Sequence, residues 1–400
     1  MKCKLADICT KIGSGATPRG GKEAYCDKGI SLVRSQNILD FSFSNNGLVF
    51  INDEQAAKLD NVEVFDEDVL LNITGDSVAR ACMINSAFLP ARVNQHVAII
   101  RGKKDCALNR YLLYFLQWKK EYLLQLASAG ATRNALTKGM IEQLEIDLPS
   151  INEQKKIVAL LGGLDDKIEL NNKINENLER QAQAIYQEWF VDLEPFGTEM
   201  PSDWFVGTVD DLAKEVVCGK TPSTKKTEYY GSDIPFVTIP DMHGNIYTVT
   251  TERYLSVLGA NSQAKKSLPK NTVCVSCIGT AGLVTLVAEE SQTNQQINSI
   301  IPKDGFSPYY IYFLMKSHSN TINKFGQSGS TIVNLNKSQF GKIQVTIPSL
   351  PTMTKFDEIV SPIFEKILQI QKENLNLSSL RDTILPKLMS GEIDIEDVNI

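Results

Sequence analysis

Three short segments of the sequence are dense in side chains whose hydrogen-bonding groups match the edges of DNA bases. A guanidinium group can fork onto guanine, and the carboxamide of Asn or Gln can fork onto adenine, in the major groove. We therefore predict base contacts from segments that combine these groups next to apolar, strand-like runs. They comprise Arg34, Ser35, Gln36 and Asn37; Asn94 and Gln95; and Asn294, Gln295 and Gln296.

Four further loops combine hydroxyl groups, cations and glycine, which together suit contacts to phosphates. Taken singly, each fits an ordinary surface turn better than a binding loop. Their recurrence in both halves of the chain favours DNA contact for the set, although not for each residue. The predicted contacts are Thr17, Arg19 and Lys22; Thr132, Arg133 and Asn134; Thr221, Ser223, Lys225 and Lys226; and Ser330, Thr331 and Asn334.

No catalytic or metal-binding motif accompanies these loops in the sequence. Gly219-Lys220-Thr221 resembles the end of a phosphate-binding P-loop, but Lys214 stands where that motif needs its first glycine. Cys274 and Cys277 form a C-x-x-C without a second pair or a nearby histidine, which favours buried strand cysteines over a zinc or redox site. The eight irregularly spaced cysteines and the absence of a long apolar run predict a reducing, cytoplasmic setting.

The elements that must position these loops occur twice in the chain. Matching residues recur at a separation of 204 near the start of each half, and the separation drifts to 198–200 farther along. Such drift indicates a shared scaffold with loops that differ. The matched segments include Thr17-Pro18 and Thr221-Pro222, Val69 and Val273, Asn94-Gln95 and Asn294-Gln295, Tyr114-Phe115-Leu116 and Tyr312-Phe313-Leu314, and Leu148-Pro149 and Ile347-Pro348.

Two long stretches show the alternating three- and four-residue spacing of a coiled-coil seam. The first begins with a capping box, Ser150-Ile151-Asn152-Glu153, and each seam position recurs 199 residues later. Two such helices predict antiparallel packing, with Ser361-Pro362 as an N-cap in the second helix and Pro386 as a kink or stop. The seam comprises Leu164, Ile168, Asn175, Leu178 and Ile185, with Ile363, Ile367, Asn374, Leu377 and Ile384 in the second copy.

The other flank of the first stretch is also apolar. Its side chains fit either packing within the chain or a surface for partner subunits, and the sequence leaves both open. They are Leu160, Leu170, Ile174, Tyr186 and Phe190.

These patterns predict an α/β (α+β) fold with two related recognition domains and two long antiparallel helices. Each domain should contain short strands and one helix near its end, at 109–126 and 308–324. Residues 150–194 and 349–400 each carry five basic against nine acidic side chains, so the acidity behind the net charge of −6 lies in the helices and tail. The predicted boundaries are 1–149 and 195–348 for the domains, with 150–194 and 349–400 for the helical segments.

The strands can be placed from the same alternation of apolar and polar residues. We expect them at 30–34, 69–73, 97–101 and 144–148 in the first half, and at 236–239, 272–278, 283–288 and 343–347 in the second.

The run Leu161-Gly162-Gly163-Leu164-Asp165-Asp166-Lys167-Ile168, with Leu385-Pro386-Lys387-Leu388-Met389-Ser390-Gly391-Glu392 near the end of the chain, resembles the specificity subunit of type I restriction-modification systems. The resemblance extends over essentially the whole chain, because the repeat, both helices and the Thr-Pro loops belong to the family pattern. The helical segments are specific to that family. The domains vary too much for base contacts to be transferred.

The resemblance implies a subunit without catalytic activity that reads a bipartite, asymmetric target in double-stranded DNA. It implies that two modification (methyltransferase) subunits dock on the helices and methylate adenine with S-adenosylmethionine, and that restriction subunits, where present, use ATP and Mg. No cofactor is expected on this chain. Two alternatives remain from the residues alone: a stand-alone, two-headed DNA-binding regulator, and an enzyme whose site has unfamiliar spacing.

Overall fold

The computed structural model describes residues 2–128, 134–325 and 334–397. The chain forms two compact units. Unit 1 comprises Met1–Ile168 and Asn376–Ile400, and unit 2 comprises Glu169–Leu375. Each unit therefore contains part of both long helices. The four-part division at 150, 195 and 349 stays a prediction, because the compact units divide the helices in their middles.

Unit 1 is built on two sheets of short strands. The first is antiparallel, and the second also contains a parallel pair, formed by Ile30–Val33 and Ala91–Val93. A separate two-stranded ribbon pairs Lys2–Lys4 with Glu145–Asp147. The strand orders are Cys9–Ser14, Val97–Gly102, Val69–Asn72 and Ala81–Met83 in the first sheet, and Val49–Ile51, Ile30–Val33, Ala91–Val93 and Glu63–Val64 in the second.

Unit 2 repeats this architecture. Its larger sheet gains a parallel edge strand at Tyr247–Thr248, and its ribbon pairs Phe205–Thr208 with Gln344–Ile347. The strand orders are Ala213–Cys218, Ile297–Pro302, Val273–Ser276, Val284–Val287 and Tyr247–Thr248 in the first sheet, and Tyr230–Gly231, Tyr254–Leu255, Ile234–Val237 and Gln292–Thr293 in the second. The predicted two-fold repeat of mixed helix and sheet is confirmed.

Every strand expected from the sequence is present, with ends displaced by at most two residues. Six of them are buried on both faces, as expected for strands that lie between other layers. The two strands of the ribbons, Glu145–Asp147 and Gln344–Ile347, instead alternate between buried and more exposed residues. The expected helix in each half is instead a broken pair. Asn109–Trp118 is followed by Lys120–Ser128, and Pro308–Ser317 by Ser319–Phe325, because the chain turns at Lys119 and His318.

Shorter helices connect these elements. The α-helices are Leu5–Ile8, Asp53–Ala57, Lys138–Glu142, Val209–Leu212, Ile239–Met242, Val257–Asn261 and Lys337–Gly341, and the 3-10 helices are Gly21–Ala24, Ser35–Asn37, Asp60–Val62, Ser86–Phe88, Glu194–Phe196, Thr227–Tyr229, Ala264–Lys266 and Ile395–Asp397.

The two long helices are Ile151–Phe190 and Leu350–Ser390, which we call the first and second long helix. The predicted capping box is confirmed: the Ser150 amide donates to Glu153 Oε2 at 2.6 Å, and the Glu153 amide donates to Ser150 Oγ at 3.3 Å. These bonds satisfy two amides that the first helical turn leaves without partners.

The helices pack antiparallel, as predicted. In unit 1, Leu161 near the start of the first long helix shares a hydrophobic cluster with Leu388 near the end of the second. In unit 2, Phe190 at the end of the first packs edge-on against Phe356 near the start of the second, with ring centroids 4.9 Å apart. Pairing start with end in both units requires opposite directions.

The predicted N-cap at Ser361-Pro362 is wrong, and so is a stop at Pro386, whereas a kink at Pro386 stays a prediction. Helix begins at Leu350 and continues through Pro362 and Pro386. Ser361 Oγ donates to Asp357 Oδ2 at 3.0 Å, a bond between neighbouring helical turns rather than an N-cap. A proline inside a helix removes one backbone hydrogen bond and crowds the preceding turn. Burial of the adjacent Leu385 in the core of unit 1 helps to offset that cost at Pro386.

The predicted seam is only partly buried. Asn175 and Ile367 are buried, whereas the other members keep intermediate exposure. Phe364 and Tyr186, which lie outside the predicted seam, are also buried and pack in the hydrophobic core of unit 2. Each helix therefore buries two faces, which a single heptad seam does not describe. The intermediate group is Leu164, Ile168, Leu178, Ile185, Ile363, Asn374, Leu377 and Ile384.

The polar pair predicted within the seam has different partners. Asn171 Nδ2 donates to Asn374 Oδ1 and Asn374 Nδ2 donates to Asn172 Oδ1, both at 2.8 Å and both in unit 2. Asn175 is buried, and its Oδ1 has no hydrogen-bond partner within the described residues. The register is therefore fixed through Asn171, one helical turn before the expected asparagine.

Candidate nucleic-acid interface

In unit 1, the Thr-Pro loop lies directly beside the Asn94 turn. The Gly15 amide donates to Val97 O at 2.9 Å, and the Ala16 amide donates to Val93 O at 3.1 Å. A Cβ atom at Gly15 would lie 1.9 Å from Val93 O, so only glycine allows this approach. Thr17 and Arg19 follow this junction and are exposed, and Lys22 lies in the next 3-10 turn.

Unit 2 builds the same junction from different residues. The Gly219 amide donates to Ile297 O at 3.1 Å, and the Lys220 amide donates to Thr293 O at 2.9 Å. A Cβ atom at Gly219 would lie 2.1 Å from Asn294 O. Thr221 Oγ1 then donates to Gln295 Oε1 at 2.6 Å, which links the loop to the turn. The exposed residues of the loop include Ser223, Lys225 and Lys226.

Asn94 and Asn294 shape these turns rather than face solvent, contrary to the expectation of base contacts. Both are buried, and their Oδ1 atoms accept hydrogen bonds of 3.0 Å from the amides of His96 and Gln296. Such Asx bonds hold a chain reversal. They leave the side chains of Gln95 and Gln295 exposed at the tip, where they can meet a ligand.

The segment Arg34–Asn37 supports a neighbouring loop. Asn37 is 0% exposed, and its Nδ2 donates to Ser44 O at 2.9 Å and Asn46 O at 3.2 Å. Arg34 and Gln36 both donate to Gly47 O. The expectation of a base contact is therefore wrong for Asn37, because its amide is used to hold the loop at residues 44–47.

Arg34, Ser35 and Gln36 are not buried, and this segment adjoins the Asn94 turn. Arg34 and Ser35 keep intermediate exposure and Gln36 is exposed. The Asn94 amide donates to Val33 O at 3.0 Å, and Asn72 Nδ2 donates to Ser35 O at 2.9 Å. These bonds place the segment at the same end of the first sheet as the Thr-Pro loop.

The fourth matched segment reaches this end of the sheet as well. In unit 1 the Gly75 amide donates to Asn134 O at 3.2 Å, and in unit 2 Asn334 forms a β-bridge with Ile278. Asn134 and Asn334 are both exposed. The predicted contacts Thr132, Arg133, Ser330 and Thr331 lie outside the described residues.

One residue that sequence analysis left out belongs to the cluster in unit 1. His96 Nδ1 lies 2.6 Å from Thr74 Oγ1, and its Nε2 lies 3.1 Å from Gln95 Nε2. The histidine directly follows Asn94-Gln95, and this adjacency was the available signal. In unit 2 the equivalent position is Gln296. Comparison of the two halves therefore drew attention to the amides that they share and not to the histidine.

Within the described ranges, the side chains do not form a group of three or more potential metal ligands. Cys274 and Cys277 are buried, as the sequence predicted, and burial raises the pKa of each thiol to about 12. Protonated, enclosed thiols are poor metal ligands and poor nucleophiles. Of the helices in the part of the chain that the structure describes, none has the length and apolarity needed to cross a membrane.

Each unit thus gathers exposed amides, hydroxyls and cations at one end of its first sheet. These groups can donate to phosphates, and can both donate to and accept from the edges of bases. The comparisons with known proteins agree with this chemistry. The family model for the type I restriction modification DNA specificity domain matches residues 1–180 and 201–377.

The chain belongs to this family.

Two relatives and one solved structure extend the match. The specificity subunit of the type I restriction enzyme HindI from Haemophilus influenzae is 35% identical over 352 residues, which cover 71% of this chain and 76% of the relative. The MjaIX specificity subunit of Methanocaldococcus jannaschii is 25% identical over 424 residues, covering 99% and 94%. The S subunit from M. genitalium shares the fold with a TM-score of 0.57 at 15% identity, covering 97% of this chain and 95% of that chain.

Membership in this family supports the specificity-subunit role over the stand-alone regulator. The relatives are specificity subunits, which supports a recognition role without catalysis rather than an enzyme of unfamiliar spacing. The two matched regions also fall on the two halves of the internal repeat.

Proposed function

We propose that this specificity subunit reads a bipartite, asymmetric sequence in double-stranded DNA, with one half-site for each unit. The convergence of the matched polar segments in each unit carries this proposal. Their scaffold is shared, whereas the exposed residues differ, as two heads with different targets require. Those that differ include Arg19 and Gln36 in unit 1 and Ser223 and Lys225 in unit 2, whereas the exposed Gln95 and Gln295 are common to both.

The chemistry is assigned to partner subunits in this proposal. Two modification subunits supply S-adenosylmethionine and methylate adenine, and restriction subunits, where they join, use ATP and Mg to cleave DNA. Leu170 and Ile174 support a docking surface on the first long helix, because they are 53% and 36% exposed on one helical face. Tyr186 instead packs inside unit 2 and serves the fold. Work on DNA with these partners implies a cytoplasmic location.

The proposal is tested by single-molecule sequencing of adenine methylation in cells that carry this chain with its modification subunits. We expect a split motif that disappears when the chain is omitted. If an assembled, S-adenosylmethionine-binding complex methylates no split motif, the proposal is wrong.

The spacer between the half-sites should depend on the long helices. We predict that deletion of residues 168–174 together with 367–373 shortens the preferred spacer by about three base pairs. Seven helical residues span ~10 Å and base pairs rise ~3.4 Å each. Methylation mapping measures the spacer, and both half-site sequences should stay unchanged.

The control for this deletion is Lys173→Ala with Lys372→Ala, which changes the same helices without changing their length. It should retain the native spacer. A native spacer in the double deletion, from a complex that still methylates, would show that the helices do not set the distance.

A further inference from the structure

Two equivalent turns in units 1 and 2 carry opposite charge. Asp60–Val62 and Ala264–Lys266 are 3-10 turns that follow the short helices Asp53–Ala57 and Val257–Asn261. Both pairs of elements are separated by 204 residues, the separation that relates the Thr-Pro loops. The turns are therefore the same element in two copies.

In unit 1 this turn is acidic, and its acids are used internally. Arg92 is buried, and its Nε donates to Ala56 O at 3.3 Å. Its guanidinium pairs with Asp60 Oδ1 at 2.9 Å and with Glu63 Oε1 at 3.1 Å. A buried guanidinium needs such partners, so the turn must supply negative charge here.

In unit 2 an amide pair fills the equivalent space. Gln292 stands at the position of Arg92, and its Nε2 donates to Ala260 O at 3.0 Å. Gln263 Nε2 donates to Gln292 Oε1 and to Lys220 O, both at 2.8 Å. A neutral pair needs no acidic partner, and Ala264 and Ser267 replace the two acids of unit 1.

This exchange leaves the turn in unit 2 basic. Lys265 is exposed and Lys266 partly exposed, and Gln263 joins their turn to the exposed Lys220 of the Thr-Pro loop. Among the described residues these three lysines form no ion pair, and Glu290 accepts a hydrogen bond from Ser267, the residue that follows the turn. Unpaired like charges on adjoining segments favour an anionic ligand.

We propose that Lys220, Lys265 and Lys266 form a phosphate-binding surface of unit 2 that unit 1 lacks. The inference rests on the proposed function and deepens it: the ligand is the DNA backbone beside the half-site read by unit 2. The equivalent residues of unit 1 are Ala16, Asn61 and Val62, none of which carries charge. These three lysines therefore add a salt-dependent contribution to DNA binding in unit 2 that the equivalent positions of unit 1 do not make.

The test measures the affinity of the complete complex for its mapped target across a range of salt concentrations. Removal of one lysine–phosphate interaction should reduce the slope of log K against log salt by about 0.9, so Lys265→Gln with Lys266→Gln should reduce it by about 1.8. The affinity ratio of native to variant complex should then shrink about tenfold between about 50 and about 200 mM salt. The charge-conserving variant Lys265→Arg with Lys266→Arg should keep the native slope.

The matched control is Lys103→Gln with Lys104→Gln in unit 1. It removes the same charge from two adjacent exposed lysines, at the end of strand Val97–Gly102 remote from the Asn94 turn. The phosphate-binding surface is disproved if the slope of log K against log salt stays native in the Lys265→Gln, Lys266→Gln variant, or if it falls equally in the control. The proposed function would stand in either case. A native complex that shows no preference for its target overturns both.

Discussion

Arg381→Ala is expected to destabilise unit 1 by about 3–5 kcal/mol, the usual cost of removing one partner of a buried ion pair. Arg381 is 8% exposed, and its Nη1 lies 2.9 Å from Asp165 Oδ1. Its guanidinium also stacks over the Phe41 ring at 3.6 Å. Without the arginine, the Asp165 carboxylate loses its cation in a site that water reaches poorly.

The internal repeat indicates which second substitution should restore the stability that Arg381→Ala loses. The residues of unit 2 equivalent to Asp165 and Arg381 are Phe364 and Ala182, 199 residues away in each case, and both are fully buried. The same scaffold position therefore accepts an ion pair in one unit and an apolar pair in the other. Replacing a buried ion pair by apolar residues that pack well is often neutral or stabilising.

We expect Asp165→Phe combined with Arg381→Ala to recover most of the stability lost in Arg381→Ala. One deficit remains, because the Tyr114 hydroxyl donates to Asp165 Oδ2 at 2.6 Å and loses that acceptor. Adding Tyr114→Phe should remove the deficit. Urea unfolding, with hydrogen exchange of the amides in residues 151–168, measures the stability of unit 1.

Lys372→Ala, an exposed change in the unit 2 part of the same helix, provides the control and should leave these amides unaffected. If Arg381→Ala and the double variant lost equal stability, the ion pair of unit 1 could not be replaced by the apolar pair found at the equivalent position of unit 2. A loss below about 1 kcal/mol in Arg381→Ala would place the pair among exposed, screened ion pairs.

The repeat is what made the fold predictable. Matching residues at separations of 198–204 identified two related sets of strands, and the capping box at Ser150 marked the start of the first long helix. Local patterns succeed where a single feature, such as alternation or a cap, determines the structure. Pro386 shows the opposite case, because burial of Leu385 depends on a core that only the tertiary structure reveals.

The candidate site was predictable as a set of segments, but not as individual side chains. In the sequence, Asn94, Asn294 and Asn37 cannot be told apart from asparagines with exposed side chains. In the structure, the Oδ1 atom of each accepts a hydrogen bond from a backbone amide and holds a turn. Asn is suited both to turns and to base contacts, so residue type alone does not separate these roles. The Lys265 turn was missed because its charge has meaning only by comparison with the acidic turn of unit 1.

Gly219→Ala should weaken recognition of the half-site read by unit 2 by ~10²-fold, since disruption of one or two base contacts costs about 1–3 kcal/mol each. The added Cβ atom would lie 2.1 Å from Asn294 O, and a backbone carbonyl cannot rotate away as a side chain can. The Thr-Pro loop must therefore move away from the turn that presents Gln295. Gly15→Ala, at 1.9 Å from Val93 O, should act in the same way on the other half-site.

Gly13→Ala is the matched control for the variants Gly219→Ala and Gly15→Ala, because a Cβ atom at Gly13 would have no neighbour within 4 Å. Binding of the complete complex is measured with DNA in which one half-site at a time is scrambled. Gly219→Ala should reduce the affinity penalty for scrambling one half-site by ~10²-fold and keep the penalty for the other, and Gly15→Ala should show the reverse. If both variants lost discrimination at both half-sites equally, the units would not read DNA independently, because each clash is confined to the backbone of a single unit.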